Sequence, residues 1–88
     1  IEAVGAIALE AGIPFIVDGV ALLGKETIQI PPGVRALFFS GHKIHAPKGV
    51  GFYFCRQVHK LSPLFLGGNQ EHHRRAGTEN LPGIMALT

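Results

Sequence analysis

The chain is short of charge and almost without sulfur: Cys55 is its one cysteine, it has one methionine, and it has no tryptophan. A lone cysteine can form no internal disulfide, which excludes a disulfide-stapled scaffold and suits a reducing compartment, cytoplasmic or an organelle matrix. Charged residues make up 16%, below the roughly 25% usual for soluble domains. The formal net charge of +2 is too weak to argue for nucleic acid, and the densest basic patch, His72-His73-Arg74-Arg75, is short. No apolar run approaches the roughly 20 residues of a membrane-spanning helix, and no signal peptide is visible. Neither a nucleic-acid nor a membrane partner is expected. Repeats and low-complexity tracts are also missing.

Apolar residues and glycine fill the space. The chain has 88 residues, 47% of them apolar, with 12 glycines. So small a body should expose more polar surface than this composition supplies. The excess reads as core taken from a larger body, so residues 1–88 are expected to be a fragment of one larger domain, with no second domain inside the chain. The ends agree. There is no initial Met, the chain opens within the helix-like stretch Glu2 to Glu10, and it closes on the apolar run Ile84 to Leu87 without a stop signal.

Residues 2 to 11 read as a helix end stopped by Gly12 and Pro14. Phe15-Ile16-Val17 is a continuous apolar run, the pattern of a strand buried on both faces, and Asp18-Gly19 ends it. Residues 20 to 30 fit neither period and are broken by Pro31-Pro32-Gly33. Arg35 to Phe39 reads as a second buried strand, residues 41 to 49 as a loop, and Val50 to Cys55 as a third strand. Leu64 to Leu66 reads as a short fourth strand, and a helix is expected to start between Thr78 and Pro82. Helix, strand, strand is an α/β pattern with a largely parallel sheet. About seven residues separate Lys43 from the third strand, so that strand can run antiparallel.

If the strands ending at Val17 and Phe39 are parallel, their C-terminal ends share the sheet edge where open α/β folds bind ligands. Asp18 follows one strand and Ser40-Gly41-His42-Lys43 follows the other. An acid and a lysine on one rim suit pyridoxal 5'-phosphate, which needs an amine for its aldehyde and a carboxylate to keep its ring nitrogen protonated. Such a lysine works as the neutral amine, which a partly buried, cationic setting favours. Ser40 and His42 can donate hydrogen bonds to a phosphate. His42 can equally stack on a ring or move protons.

These residues carry a resemblance. Val17-Asp18, Ser40-Gly41-His42-Lys43, Pro47-Lys48-Gly49-Val50-Gly51, Gly67-Gly68, Gln70-Glu71 and the stretch Arg75 to Gly83 occur in an order and spacing that resemble the class V aminotransferase family. Within it they look like the NifS-type cysteine desulfurases. The resemblance implies part of the large domain of a pyridoxal-phosphate-dependent transferase of fold type I, with a mainly parallel sheet and flanking helices. It implies conversion of L-cysteine to L-alanine with sulfur passed to an acceptor protein, as in iron-sulfur cluster biogenesis. By position, Lys43 matches the lysine that bonds the cofactor. Asp18 matches the acid facing the pyridine nitrogen, Ser40 and His42 match phosphate ligands, and Thr78 matches a threonine reaching the phosphate of a neighbouring subunit in a homodimer. Gly77-Thr78 before a helix start is itself an anion-binding arrangement. Three positions depart from the pattern: Ala21 stands where a glutamine is usual, Ile16 where a histidine is common, and Asn69 in place of a third glycine. The family's persulfide-forming cysteine and substrate-binding arginine would follow Thr88. Its ring-stacking histidine and another phosphate loop would precede Ile1.

Plainer readings stand beside these. Lys48 is a rival amine, though turn lysines are usually solvated. Asp18 can cap a turn with Gly19, Ser40 can be a strand-end turn residue, His42 a structural histidine, and Thr78 a helix cap. Cys55, after Phe52-Tyr53-Phe54, fits inert packing better than sulfur transfer. Adjacent His72 and His73 are poor co-ligands, so no metal site is expected, and Arg74 and Arg75 suit a solvated face as well as a phosphate. Function therefore has three readings. One is a cysteine desulfurase-like enzyme, with another class V aminotransferase or a selenocysteine lyase as close variants. Another is a non-catalytic remnant or dimer scaffold. The weakest is a histidine-based metal module. The segment by itself is expected to be inactive.

Overall fold

In the computed structural model, which describes residues 1–88 apart from the His59 side chain, the order is α1 (Glu2–Glu10), β1 (Phe15–Asp18), β2 (Val34–Ser40), a 3-10 helix (Gly41–Ile44), β3 (Gly51–Cys55), a 3-10 helix (Val58–Lys60), α2 (Gln70–His73) and α3 (Leu81–Met85). The end of α1 is set by Gly12, which adopts φ +67°. That left-handed turn lets the Ile13 N–H reach the Ala8 carbonyl (2.9 Å) and the Gly12 N–H reach Leu9 (3.2 Å). The last turn is thereby satisfied in the Schellman manner.

The sheet order is β1-β2-β3. β1 and β2 are parallel, with Ile16 opposite Ala36, Val17 opposite Leu37 and Asp18 opposite Phe38. β3 is antiparallel to β2, with Phe38 opposite Tyr53 and Ser40 opposite Gly51, as its short connection allows. The crossover between the parallel strands has no regular helix. It is a run of turns held by the Leu22 and Lys25 N–H groups on the Gly19 and Leu22 carbonyls. This explains why residues 20 to 30 show no clear period.

One face of the sheet is covered. Val17, Val34 and Leu37 form the buried cluster, with Phe15, Ile28, Ile30, Phe39 and Phe54 packed against it. The crossover thus supplies the lid over this face through Ile28 and Ile30. The other face carries Ile16, Phe38 and Tyr53, and these remain 58%, 44% and 46% exposed. The expectation of strands buried on both faces is met on one face within these 88 residues. The thin shape agrees: the principal extents are 39 × 31 × 14 Å, room for a sheet and one covering layer about 10 Å away.

Two anchors fix the start of β2. Gly33 packs so closely on α1 that an added β-carbon would overlap the Gly5 carbonyl. The Arg56 guanidinium bonds the carbonyls of Val34 (3.1 Å), Ile30 (3.1 Å) and Pro31 (3.3 Å) and lies over the Phe54 ring at 5.4 Å.

Two expectations are corrected. Gly41–Ile44 is a 3-10 helix and not open loop. Leu64 to Leu66 is not a strand but a bend with exposed side chains. Pro63 before it and Gly67-Gly68 after it leave the apolar tripeptide no strand to pair with.

Candidate functional site

Parallel pairing puts the C-terminal ends of β1 and β2 on one rim. Residues in register on parallel strands point to the same side, and residues two apart on a strand share that side. Asp18 pairs with Phe38, and Ser40 lies two positions beyond Phe38. Asp18 and Ser40 therefore occupy one face at one edge. The Gly19 N–H bonds the Phe38 carbonyl at 2.9 Å, carrying the tie between the strands one residue past Asp18.

Asp18 is exposed, and its Oδ1 accepts the Val20 N–H at 3.0 Å. The capping turn and a ligand-facing role are compatible, because this bond engages one of two carboxylate oxygens. Past β2 the chain turns into the Gly41–Ile44 helix with Ser40 as its N-cap residue. The turn needs close packing at Gly41, where an added β-carbon would lie 3.0 Å from the Val50 carbonyl oxygen and 3.1 Å from the Ala46 methyl. The Gly41 N–H bonds that same Val50 carbonyl (2.9 Å), and the Ala46 N–H returns to Gly41 (3.1 Å). His45 ends the helix with φ 73°. His42 and Lys43 sit on this pinned turn with exposed side chains, and Lys48 is exposed in the loop beyond.

Sequence reasoning treated Ser40 and His42 as two separate donors. The structure joins them: Ser40 Oγ and His42 Nδ1 lie 2.7 Å apart. Their two-residue spacing brings them within reach only because the chain turns there into a tight helix, where the sequence reads as loop.

Thr78 is placed differently from the other four. It lines a cleft of about 260 Å³ with Gly49, Gly51, Glu71, Arg75 and Ile84, and that lining does not include Asp18, Ser40, His42 or Lys43. It is nevertheless next door, because Gly51 is the pairing partner of Ser40. Thr78 is not the cap of the following helix. Asn80 is: its Oδ1 accepts the Gly83 N–H at 3.2 Å, and the helix starts at Leu81.

The remaining candidates sit apart. Cys55 is half-buried, with Sγ donating to the Arg56 carbonyl at 3.3 Å. Glu71, His72 and His73 form a left-handed turn with φ of 50°, 56° and 66°. Among the described residues no three His, Cys, Asp or Glu side chains are grouped to hold a metal. Arg74 bonds the His72 carbonyl, and Arg75 lies over the Phe65 ring at 5.7 Å.

An acid, a hydroxyl, an imidazole and an amine thus share or adjoin one sheet edge, a set that suits a phosphorylated heteroaromatic aldehyde. The sequence model of the aminotransferase class-V family matches residues 1–88. The chain belongs to that family.

Its relatives agree. It is 47% identical over 88 residues to cysteine desulfurase 2 of Trichormus variabilis, covering 99% of this chain and 22% of that protein. It is 44% identical over 88 residues to the cysteine desulfurase NifS of Azotobacter vinelandii, with the same coverage. Among solved structures, SspA in complex with cysteine superposes with a TM-score of 0.88 at 37% identity, over 98% of this chain and 26% of that one. A NifS-like protein from Rickettsia africae superposes at 0.89 with 30% identity, over 98% and 24%. The chain therefore spans 22% of the two relatives named and 24% to 26% of the two solved structures.

Proposed function

We propose that this class V aminotransferase segment is the cofactor-holding centre of a pyridoxal-phosphate-dependent cysteine desulfurase. The parent protein converts L-cysteine to L-alanine and passes the sulfur to an acceptor protein, in support of iron-sulfur cluster assembly. It works as a homodimer in the cytoplasm or an organelle matrix, and residues 1–88 by themselves turn over nothing. One observation carries the reading: Asp18 and Phe38 are in parallel register, so the carboxylate and the Ser40–Lys43 turn rise from the same edge of the same sheet.

The donor set fits the cofactor. Bound pyridoxal phosphate supplies an electron-accepting ring for bond changes at the amino-acid α-carbon. Lys43 would hold its aldehyde end and would move protons beside the amino-acid α-carbon. Asp18 would face the ring nitrogen and keep its proton in place. Ser40 and His42 would hold the phosphate end, and Thr78, across the Gly51 edge, would serve the phosphate of the second subunit. The cysteine bound to SspA and the desulfurase names of the relatives support L-cysteine as substrate.

The test is chemical. The full-length protein should be yellow, and borohydride followed by peptide mapping should leave a pyridoxyl group on Lys43. Lys43→Ala should lose turnover by at least about 10³-fold. A colourless protein, a label on Lys48 instead, or near-normal turnover in Lys43→Ala would each overturn the assignment.

A further inference from the structure

We propose that the end of the sheet away from the cofactor rim docks an acidic, partly apolar segment of a partner protein between Arg35 and Arg56. Arg35 and Ser40 lie near opposite ends of β2, roughly 17 Å apart along an extended strand. The surface is therefore separate from the rim, and the inference does not rest on the cofactor reading. The observation is a like-charge pair. Ala36 pairs with Cys55 in the antiparallel ladder, and the Arg56 N–H bonds the Arg35 carbonyl at 2.9 Å. Arg35 and Arg56 are thus directly opposite each other, and residues so placed share one face of a sheet.

Two cations in that arrangement repel, and their hydrogen bonds bring no negative charge to offset it. Arg56 commits its Nε and Nη2 to the carbonyls of Val34, Ile30 and Pro31. Arg35 donates through Nη1 to the Gln57 side-chain oxygen. Every one of these acceptors is neutral. A guanidinium has five N–H donors, so both keep donors to spare. Among the described residues Arg35 makes no side-chain bond through Nε or Nη2, and Arg56 makes none through Nη1.

The two arginines line a cleft of about 280 Å³ between the end of α1 and the start of β2, and no Asp or Glu shares the lining. Leu9, Ile13, Pro14 and Pro32 give it apolar walls, and Ile13 is 62% exposed, so that wall is open to an incoming chain. The helix end at the cleft adds little negative charge, because the Ala8 and Leu9 carbonyls already accept the Ile13 and Gly12 N–H groups. Charge complementarity selects the occupant. A carboxylate takes paired N–H bonds from a guanidinium. A Glu or Asp beside an aliphatic residue therefore answers both the cations and the walls.

Fluorescence polarisation on the full-length protein tests this, with a labelled peptide of alternating Glu and Leu as the probe. The peptide should bind, should weaken as salt rises, and should lose at least about tenfold in affinity to Arg35→Glu. Lys25, exposed and outside the cleft, is the control, and Lys25→Glu should cost less than about twofold. Equal losses from the two variants would mean diffuse positive charge only, and would overturn the inference. So would a wild-type protein that ignores the peptide. Stability gives a second arm. Arg35→Glu sets an anion opposite Arg56, so the urea midpoint should hold or rise. A fall would show that another part of the parent protein already supplies a carboxylate to Arg35, which rules out docking there. A dimer lost in Arg35→Glu would assign the face to a second copy and refute an acidic partner. None of these readouts depends on bound cofactor.

Discussion

The first two-thirds of the chain and the last third are built on different terms. From β1 to Arg56 the backbone is tied into a ladder, Val34 and Leu37 are 1% and 2% exposed, and Arg56 closes the carbonyls at the head of β2. Beyond it the chain runs as an arm with few regular bonds, where Leu64 and Leu66 stand 85% and 81% exposed. Of the five candidate site residues, Asp18 and Ser40 lie on the ladder, and His42 and Lys43 lie on the 3-10 turn directly after it. Thr78 alone lies on the arm. Under the proposed function, a rigid edge suits groups that would hold one ring from two ends, and an arm suits a group that would reach across to a second subunit.

Substitutions should grade along this division when unfolding of the full-length protein is followed in urea. The largest loss should come from Leu37→Ala, about 3 kcal/mol, since it empties the centre of the covered face. Next is Gly33→Ala, on the order of 2 kcal/mol, because the new methyl must push α1 away from the start of β2. Asn80→Ala removes the cap of α3 and should cost about 1 kcal/mol. The smallest effect should be Arg75→Ala, about 0.5 kcal/mol from its exposed contact with Phe65. An Arg75→Ala loss equal to that of Leu37→Ala would erase the distinction between ladder and arm.

The same division decides how much the sequence revealed. β1, β2 and β3 were legible because continuous runs such as Ala36-Leu37-Phe38-Phe39 have few alternatives to a strand, and Gly12 marked the end of α1 through its backbone freedom. The rim holding Asp18 and Ser40–Lys43 followed from parallel pairing alone. What escaped depended on partners that no local pattern names. Leu64 to Leu66 has strand-like composition and no neighbouring edge. Thr78 and Asn80 are both good caps, and only the fold selects Asn80. The meeting of Ser40 with His42 arises from a tight turn that a loop-like, glycine-containing stretch conceals. Ile16 and Phe38 read as core, yet the face they share is open in these residues.

The helix-free crossover between β1 and β2 has a consequence for change over descent. Because strand register and the Gly19-to-Phe38 bond set the spacing of acid and amine, the length of the turns between residues 21 and 27, ahead of the packed Ile28 and Ile30, is decoupled from it. Residues can be gained or lost there while the two groups keep their separation. A single residue inserted inside β2 would instead turn Ser40 to the opposite side and carry Lys43 away from Asp18. Tolerance to indels should therefore be high in one span and nil in its neighbour.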